Sequence, residues 1–458
     1  MDEIRVIAAT AVVGDGFNQD TFYEAIQEWK PHVIGCDSGI RGDGPYWLGN
    51  ATSHWEWRTV KRDLAIMLVA ARRYDLPLLI GSAGSVGADP NLAWLARMVK
   101  ELAAEHALHF RLALVHAEQS PDYLKRKMRE GKVRPLHPAP ELDDQVIDRS
   151  AHIVGMMGHE PYLKALEGGA QVVLAGRSTD AAIFAAVPLR EGFPPGLVWH
   201  AGTVIEAGGL AAVHMDGVGH EGMFARIRRD YFELTPTNPQ LEVSPLSVAA
   251  QTLYEERSAF DLVVPSGTLN VKETKYEAID KRVVRVSGSR FTPADEYSVK
   301  LEGAELVGYQ ACFIGGIRDA MIIRQFDTWL EDVERSAQGR VDKIYGGSPP
   351  KYRSNFRVYG KNGVMGALEP IQGITSHEVG IVHEVTAPTQ EDANAICHAF
   401  ASTLIHTPVP EWSGAVMTLA KPPAPGILEK GPVYRFNMNH VVLPDDPLEM
   451  FPIEYEDV

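Results

Sequence analysis

The stretch Leu78-Leu79-Ile80-Gly81-Ser82-Ala83-Gly84-Ser85-Val86-Gly87-Ala88-Asp89-Pro90 constrains the fold of this chain more than any other. An apolar run of strand length empties into a loop with glycine at every third position. A helix signal follows at once, with Asp89 expected as N-cap and Pro90 at the first helical position. Strand, glycine loop and helix, in that order, are how an open α/β sheet builds a ligand crevice at its carboxyl edge. Gly81, Gly84 and Gly87 let backbone amides approach an anion closely. The loop is not a P-loop, because no Lys-Ser/Thr pair follows, and its spacing is not the dinucleotide G-x-G-x-x-G. The competing explanation is a tight turn that uses glycine for its tolerance of unusual backbone angles.

The first 190 residues repeat this alternation. Strands are expected at 4–9, 32–36, 76–80, 110–115, 152–155 and 171–175. Between them lie helical patterns such as 60–73, where Val60, Leu64, Met67, Leu68 and Ala71 recur at helical spacing. Nearly all-apolar strands alternating with helices predict an α/β domain, a parallel sheet with helices on both faces. From about Pro194 glycine and proline become frequent, and short alternating stretches at 281–286 and 297–301 suggest an antiparallel or mixed middle region. After Leu306 the expected order is a strand (306–314), a helix (319–338), two strands around Tyr359 and Met365, a strand (377–385) and a helix (390–405). That order fits a C-terminal α+β unit of the ferredoxin-like type, followed by a Pro-rich tail, 417–446, that wraps a neighbouring surface. Three segments result: 1–190, 191–305 and 306–458.

A chain of 458 residues is too long for one ordinary core. Three scattered cysteines, Cys36, Cys312 and Cys397, form neither a disulfide framework nor a zinc pattern, which suits a reducing cytoplasm. No apolar run reaches membrane-spanning length and no basic-then-apolar leader is present. The formal charge of −16 disfavours nucleic acid and anionic membranes as partners. An anionic small-molecule substrate must then be caught by local arginines and loop amides. The chain is expected to act as a homo-oligomer, with room for a small second subunit.

Several stretches together resemble the acyclic terpene utilisation, AtuA-like, family. They are Gly35-Cys36-Asp37-Ser38-Gly39 with Gly44-Pro45-Tyr46, Ile80-Gly81-Ser82-Ala83-Gly84, Gly158-His159-Glu160-Pro161, Gly176-Arg177-Ser178-Thr179-Asp180 and Tyr359-Gly360-Lys361-Asn362-Gly363. Lys300-Leu301-Glu302-Gly303-Ala304 and His377-Glu378 are similar as well. The resemblance implies catabolism of unusual carboxylic acids or their coenzyme A thioesters. It supplies no agreed catalytic residues, so the site must come from the residues themselves.

Asp37, followed by Ser38 and Gly39, closes the second strand. A carboxylate there points into the crevice, where a base or metal ligand belongs; the alternative makes Asp37 and Asp43 turn residues bonding their own backbone. Arg177 follows the last strand of the set and is suited to clamp a carboxylate or phosphate with a two-pronged fork. Ser178 is expected as an N-cap with Asp180 in the first helical turn. His159 and Glu160 open a helix beyond the fifth strand and offer an acid and a base near neutral pH. Glu118 is a weaker candidate of the same kind. The expected site is therefore Asp37, His159, Glu160 and Asp180 for chemistry, with Ser38, Gly39, Gly81, Ser82, Gly84, Arg177 and Ser178 for binding.

A metal reading of the His-Glu pairs fails. None forms H-E-x-x-H, and His377 and His383 stand roughly 20 Å apart along one strand. No zinc or iron–sulfur centre is expected, whereas Mg²⁺ held by Asp37, Asp43 or Asp89 stays open. Lys361-Asn362-Gly363 is expected as a hairpin turn. The leading function is a lyase, hydratase or isomerase acting on a small carboxylic acid or acyl thioester. A hydrolase using Ser82 or Ser38 is the alternative, though no G-x-S-x-G elbow is present. A non-catalytic ligand-binding subunit is the third.

Overall fold

Five of the apolar runs become neighbouring parallel strands. They are β1 (Ile4–Val12), β2 (Val33–Gly39), β3 (Leu78–Ser85), β4 (Arg111–Val115) and, skipping β5 (Ser150–Met156), β6 (Val172–Ala175). Their order across the sheet is β1, β2, β3, β6, β4, every pair parallel. The computed structural model describes residues 1–39, 44–213, 220–254, 257–371, 373–412 and 414–458.

Alternate side chains of these strands enter two different cores, as the two-residue strand period requires. Ile7, Ile34, Leu78, Ile80 and Leu174 pack with the helices Gln19–Trp29, Trp57–Arg73 and Asp89–His106. Val6, Val33, Leu79, Val173 and Ala175 pack with Glu160–Glu167, Asp180–Arg190 and Pro195–Ile205. The helix Trp57–Arg73 buries Val60, Leu64, Met67, Leu68 and Ala71, the set read from its periodicity. On the β1 side the sheet continues antiparallel through Met223–Ile227, Tyr231–Pro236, Val284–Ser287 and Lys275–Ala278. On the β4 side it ends with Ile453–Asp457, also antiparallel.

The expected fifth parallel strand is a correction. Residues 150–156 form a strand, but they pair antiparallel with the start of the long strand Val299–Ile317, Lys300 opposite Met156 and Glu302 opposite Val154. Incomplete burial of residues 150–156, four of the seven being exposed or only partly buried, against the wholly buried β2 and β3, is the physical sign that this strand lies outside the doubly covered sheet.

The chain divides into a unit of residues 1–305 with 436–458, and a second unit of residues 306–435. The first unit reclaims the C-terminus because His440–Val442 pairs with Val299–Leu301 and with Val133–Pro135. In the second unit, Arg353–Tyr359 pairs antiparallel with Val379–Ala387, which pairs antiparallel with residues 309–317. Ile427–Phe436 pairs with the strand Val299–Ile317, so the tail region expected to wrap a surface contains a strand. The helices Phe326–Ile344 and Gln390–His406 bring Trp329, Val333, Ile396 and Phe400 onto Ile381 and Val385. No strand surrounds Met365, and Lys361-Asn362-Gly363 is not a hairpin turn. The amides of all three residues donate to the Val358 carbonyl, so the chain winds back on itself after Tyr359.

The glycine loop shows how tightly the carboxyl edge is packed. Gly87 has φ +67°, and a Cβ there would fall on the Arg177 backbone nitrogen. Gly87→Ala combines left-handed backbone strain with a steric clash against main chain. It should cost about 3 kcal/mol or more, read as a lower urea midpoint with an unchanged m-value.

Candidate active site

Asp37, two residues before the end of β2, is almost fully buried, at 6% exposure. Its Oδ2 accepts the Gly39 amide at 2.8 Å, and the Ser38 amide also donates to its carboxylate. Gly39 is required for that geometry, since a Cβ would sit 2.6 Å from Oδ2. The other oxygen, Oδ1, is buried without a hydrogen-bond partner among the described residues. Burial, then the negative charge of Asp180, push the Asp37 carboxyl up to about 8, against the opposing pull of Arg177 and the two amides. Asp37 is therefore a carboxylic acid that keeps its proton near neutral pH. Asp43 and Gly42 lie outside the described residues.

Arg177 follows β6 and carries the most connected side chain of the edge. Its Nε donates to Glu302 Oε2 at 2.9 Å and its Nη2 to Glu302 Oε1 at 3.3 Å. Its Nη1 donates to Ser82 Oγ at 3.1 Å and to the Ser178 carbonyl at 3.2 Å. Four of the five guanidinium N–H groups are thus engaged. Nη1 also lies 3.6 Å from Asp180 Oδ1. Burial works against the charge, but the carboxylates of Glu302 and Asp180 outweigh it and hold Arg177 above its ordinary value. The Glu302 carboxyl is likewise opposed by burial and held below its ordinary value by Arg177. The fork expected to clamp a substrate is occupied by a protein carboxylate.

The binding residues expected in the glycine loop serve packing first. Ser82 is fully buried with φ +49°, and its Oγ accepts from Arg177 and from the Ser178 amide. A Cβ on Gly81 would strike Ile183 and Tyr162; one on Gly84, at φ +61°, would meet the Asn91 backbone. The helix begins at Asp89 with Ala88, not Asp89, as its N-cap. The Asp89 amide donates to Glu118 Oε2 at 2.9 Å, so a protein carboxylate takes an amide that a phosphate would seek at this helix start. The Asp89 carboxylate meets His116 Nδ1 at 2.8 Å. Ser178 is also not an N-cap. Thr179 occupies the N-cap position of the helix Asp180–Arg190 without a side-chain capping bond, and Ser178 Oγ instead meets the Tyr162 hydroxyl at 2.6 Å and the Gly176 carbonyl at 3.0 Å.

His159 and Glu160 form an adjoining group. Main-chain hydrogen bonds between Met157 and both Arg177 and Thr179 hold the two loops side by side. The Tyr297 hydroxyl donates to Glu160 Oε2 at 2.7 Å, and Glu160 Oε1 lies 3.3 Å from His159 Nδ1. Burial, only partly offset by Glu160, lowers the His159 pKa and keeps the imidazole neutral. The ring stands edge-on to Trp199, which stacks on Phe291. The structure thus brings Asp37, Ser82, Arg177, Ser178 and Asp180 together and sets His159 and Glu160 on the adjacent loop. Glu302, Tyr162 and Tyr297 went unassigned in the sequence. Glu302 stood in a quoted motif, but its partner is 125 residues away.

Glu221 and His383, each from another His-Glu pair, have structural uses. Glu221 accepts from Asn238 and Thr21. His383 stacks between Phe356 and Phe400, and burial drives it down to about 3. Among the described residues no group of three His, Cys, Asp or Glu is arranged to hold a metal ion. No helix of the described residues is long and apolar enough to cross a membrane. In the second unit an open concavity of about 510 Å³ is lined by Ile344, Asn394, Ala395, His398, Ile427 and Glu429, none of them an expected site residue.

Two stability measurements check these assignments. Asp37 holds a proton that the unfolded chain, at its ordinary value of 3.8, releases. Wild type should therefore lose stability relative to Asp37→Asn as pH rises from about 4 to about 8, with the difference levelling above 8. The full span is on the order of several kcal/mol, read by denaturant melts across pH. The pH slope has the same direction for His152, as a gain at low pH rather than a cost at high pH: its Nδ1 lies 2.6 Å from Glu118, and that hydrogen bond raises its pKa against burial. Its contribution is present below pH 6.5 and is lost as pH rises through the folded value. Glu118→Gln should lower Tm more at pH 6 than at pH 9, and an equal loss at both would contradict the pairing.

A family model described as "Acyclic terpene utilisation family protein AtuA" matches residues 48–191 and 235–428. That span holds Ser82, His159, Glu160, Arg177, Asp180 and Glu302; Asp37 precedes it. No curated protein matches the chain, and no solved structure does.

Proposed function

This chain belongs to the acyclic terpene utilisation AtuA family, and on that premise we propose that it is a catabolic enzyme acting on a branched carboxylic acid or its coenzyme A thioester by proton transfer. The observation that carries this is Asp37, a buried carboxyl with one oxygen unpartnered among the described residues and its pKa raised to about 8. Lyase, hydratase and isomerase steps next to a carbonyl pass through an enolate, which needs a proton acceptor at carbon and a donor at oxygen. A carboxylic acid kept neutral by burial is a donor suited to a developing oxyanion. In this scheme Asp37 donates to that oxygen. Neutral His159, backed by Glu160 and Tyr297, takes the proton from carbon. Arg177 and Asp180 set the charge around Asp37, so the substrate anion is not assigned to the Arg177 fork.

The hydrolase alternative loses support from Ser82, which is fully buried and accepts hydrogen bonds from Arg177 and Ser178 with no histidine hydrogen-bonded to it among the described residues. The test is exchange and turnover with the purified full chain and branched, unsaturated acyl-coenzyme A thioesters in D₂O. Deuterium should enter beside the carbonyl. Asp37→Asn should lower kcat about 100- to 1000-fold at pH 7 with KM changed less than about threefold. Unchanged kinetics in Asp37→Asn would remove Asp37 from the chemistry. Absence of exchange with every thioester and free acid would favour a binding subunit.

A further inference from the structure

Arg177 has three carboxylates around it and commits to one. Glu302 takes the fork at 2.9 and 3.3 Å. Asp180 stands 3.6 Å from Nη1. Asp37 feels the guanidinium's charge, yet none of Arg177's hydrogen bonds goes to it, and its Oδ1 is the buried oxygen without a partner among the described residues. A buried carboxylate oxygen would ordinarily recruit so strong a donor. Glu302 is placed to prevent this. It sits on the strand Val299–Ile317 opposite Val154 of β5, about one-fifth exposed, and Lys300 on the same strand lies 3.7 Å from its Oε1. Ser82 Oγ and the Ser178 carbonyl hold the other side of the guanidinium.

We propose that Glu302 is a positioning residue: by keeping the Arg177 fork on itself it stops the guanidinium closing on Asp37, and so leaves Asp37 Oδ1 open to a substrate oxygen. This rests on Asp37 being the proton-transfer group of the site. The titratable and charged groups that act on Asp37 are Asp180 and Arg177 from beyond β6, Tyr162 from the helix Glu160–Glu167, and the adjacent Cys36. Only Arg177 among them is a cation, so releasing it changes the site in one direction. In Glu302→Gln the fork loses its charged partner, turns toward Asp180 and Asp37, and stabilises the ionised carboxylate.

The experiment is a carboxyl-¹³C NMR titration of the full chain labelled at aspartate, with the Asp37 signal assigned from Asp37→Asn. In wild type it should titrate well above the ordinary carboxylate range. In Glu302→Gln the midpoint should fall by at least one pH unit, a tenfold loss of proton affinity. A second comparison separates positioning from simple removal of a negative charge, and serves equally if Glu302→Gln does not fold. Arg177→Met and Arg177→Met/Glu302→Gln should titrate alike, because Glu302 acts through the guanidinium. A lower midpoint in the double variant would overturn the proposal, as would an unchanged midpoint in Glu302→Gln. An ordinary Asp37 midpoint in wild type would instead overturn the assignment of Asp37 itself.

Discussion

The fork between Arg177 and Glu302 is the interaction on which the carboxyl edge of the first unit depends. A guanidinium this enclosed must satisfy nearly all its N–H groups, and a carboxylate opposite it must recover the solvation it loses. Arg177 does so by drawing in the Ser82 hydroxyl, the Ser178 carbonyl and Glu302, which ties two strand-end loops to the strand Val299–Ile317. The glycines around it follow from that crowding. Gly87 lies against the Arg177 main chain and Gly176 against Ala117, so neither position has room for a side chain.

A charge placed so firmly leaves its neighbours with little choice. Asp37, beside Asp180 and cut off from water, keeps its proton, and the two amides that reach its carboxyl only moderate the effect. His159, buried against Trp199, stays neutral. The edge therefore presents a neutral acid and a neutral base close to a fixed ion pair, an arrangement that burial and charge produce together. A short distance along the edge, Asp89, His116, Glu118 and His152 pair with one another at 2.6 and 2.8 Å. There the carboxylates raise both histidines, and the pairs join the helix start at Asp89 to β4 and β5. The same residue types thus give different proton affinities according to what faces them.

The strands and their covering helices were legible because each carries a periodic signal over many residues. Leu78, Leu79 and Ile80 mark a strand buried on both faces, and Val60 through Ala71 mark a helix stripe; both are local properties. The carboxyl edge as the place of Asp37, Ser82 and Arg177 was legible too, because parallel strands put their following loops on one side. Helix caps were less so. Asp89 and Ser178 have the right chemistry to cap, but stronger partners, His116 and Tyr162, claim their side chains.

Sequence by itself determined the alternation of strands and helices, the two faces of the sheet and the set of polar groups delivered to its edge. Each of these depends on residues within a few positions of one another. Only the tertiary structure decided that residues 150–156 leave the parallel sheet for Val299–Ile317, and that the Arg177 fork closes on Glu302 rather than standing open. Those choices depend on pairing across more than a hundred residues, where register and charge compensation select among partners that look equivalent along the chain. Asp37 shows the same division: its identity and strand-end position are written locally, while its retained proton comes from burial and from Asp180, brought near only by folding.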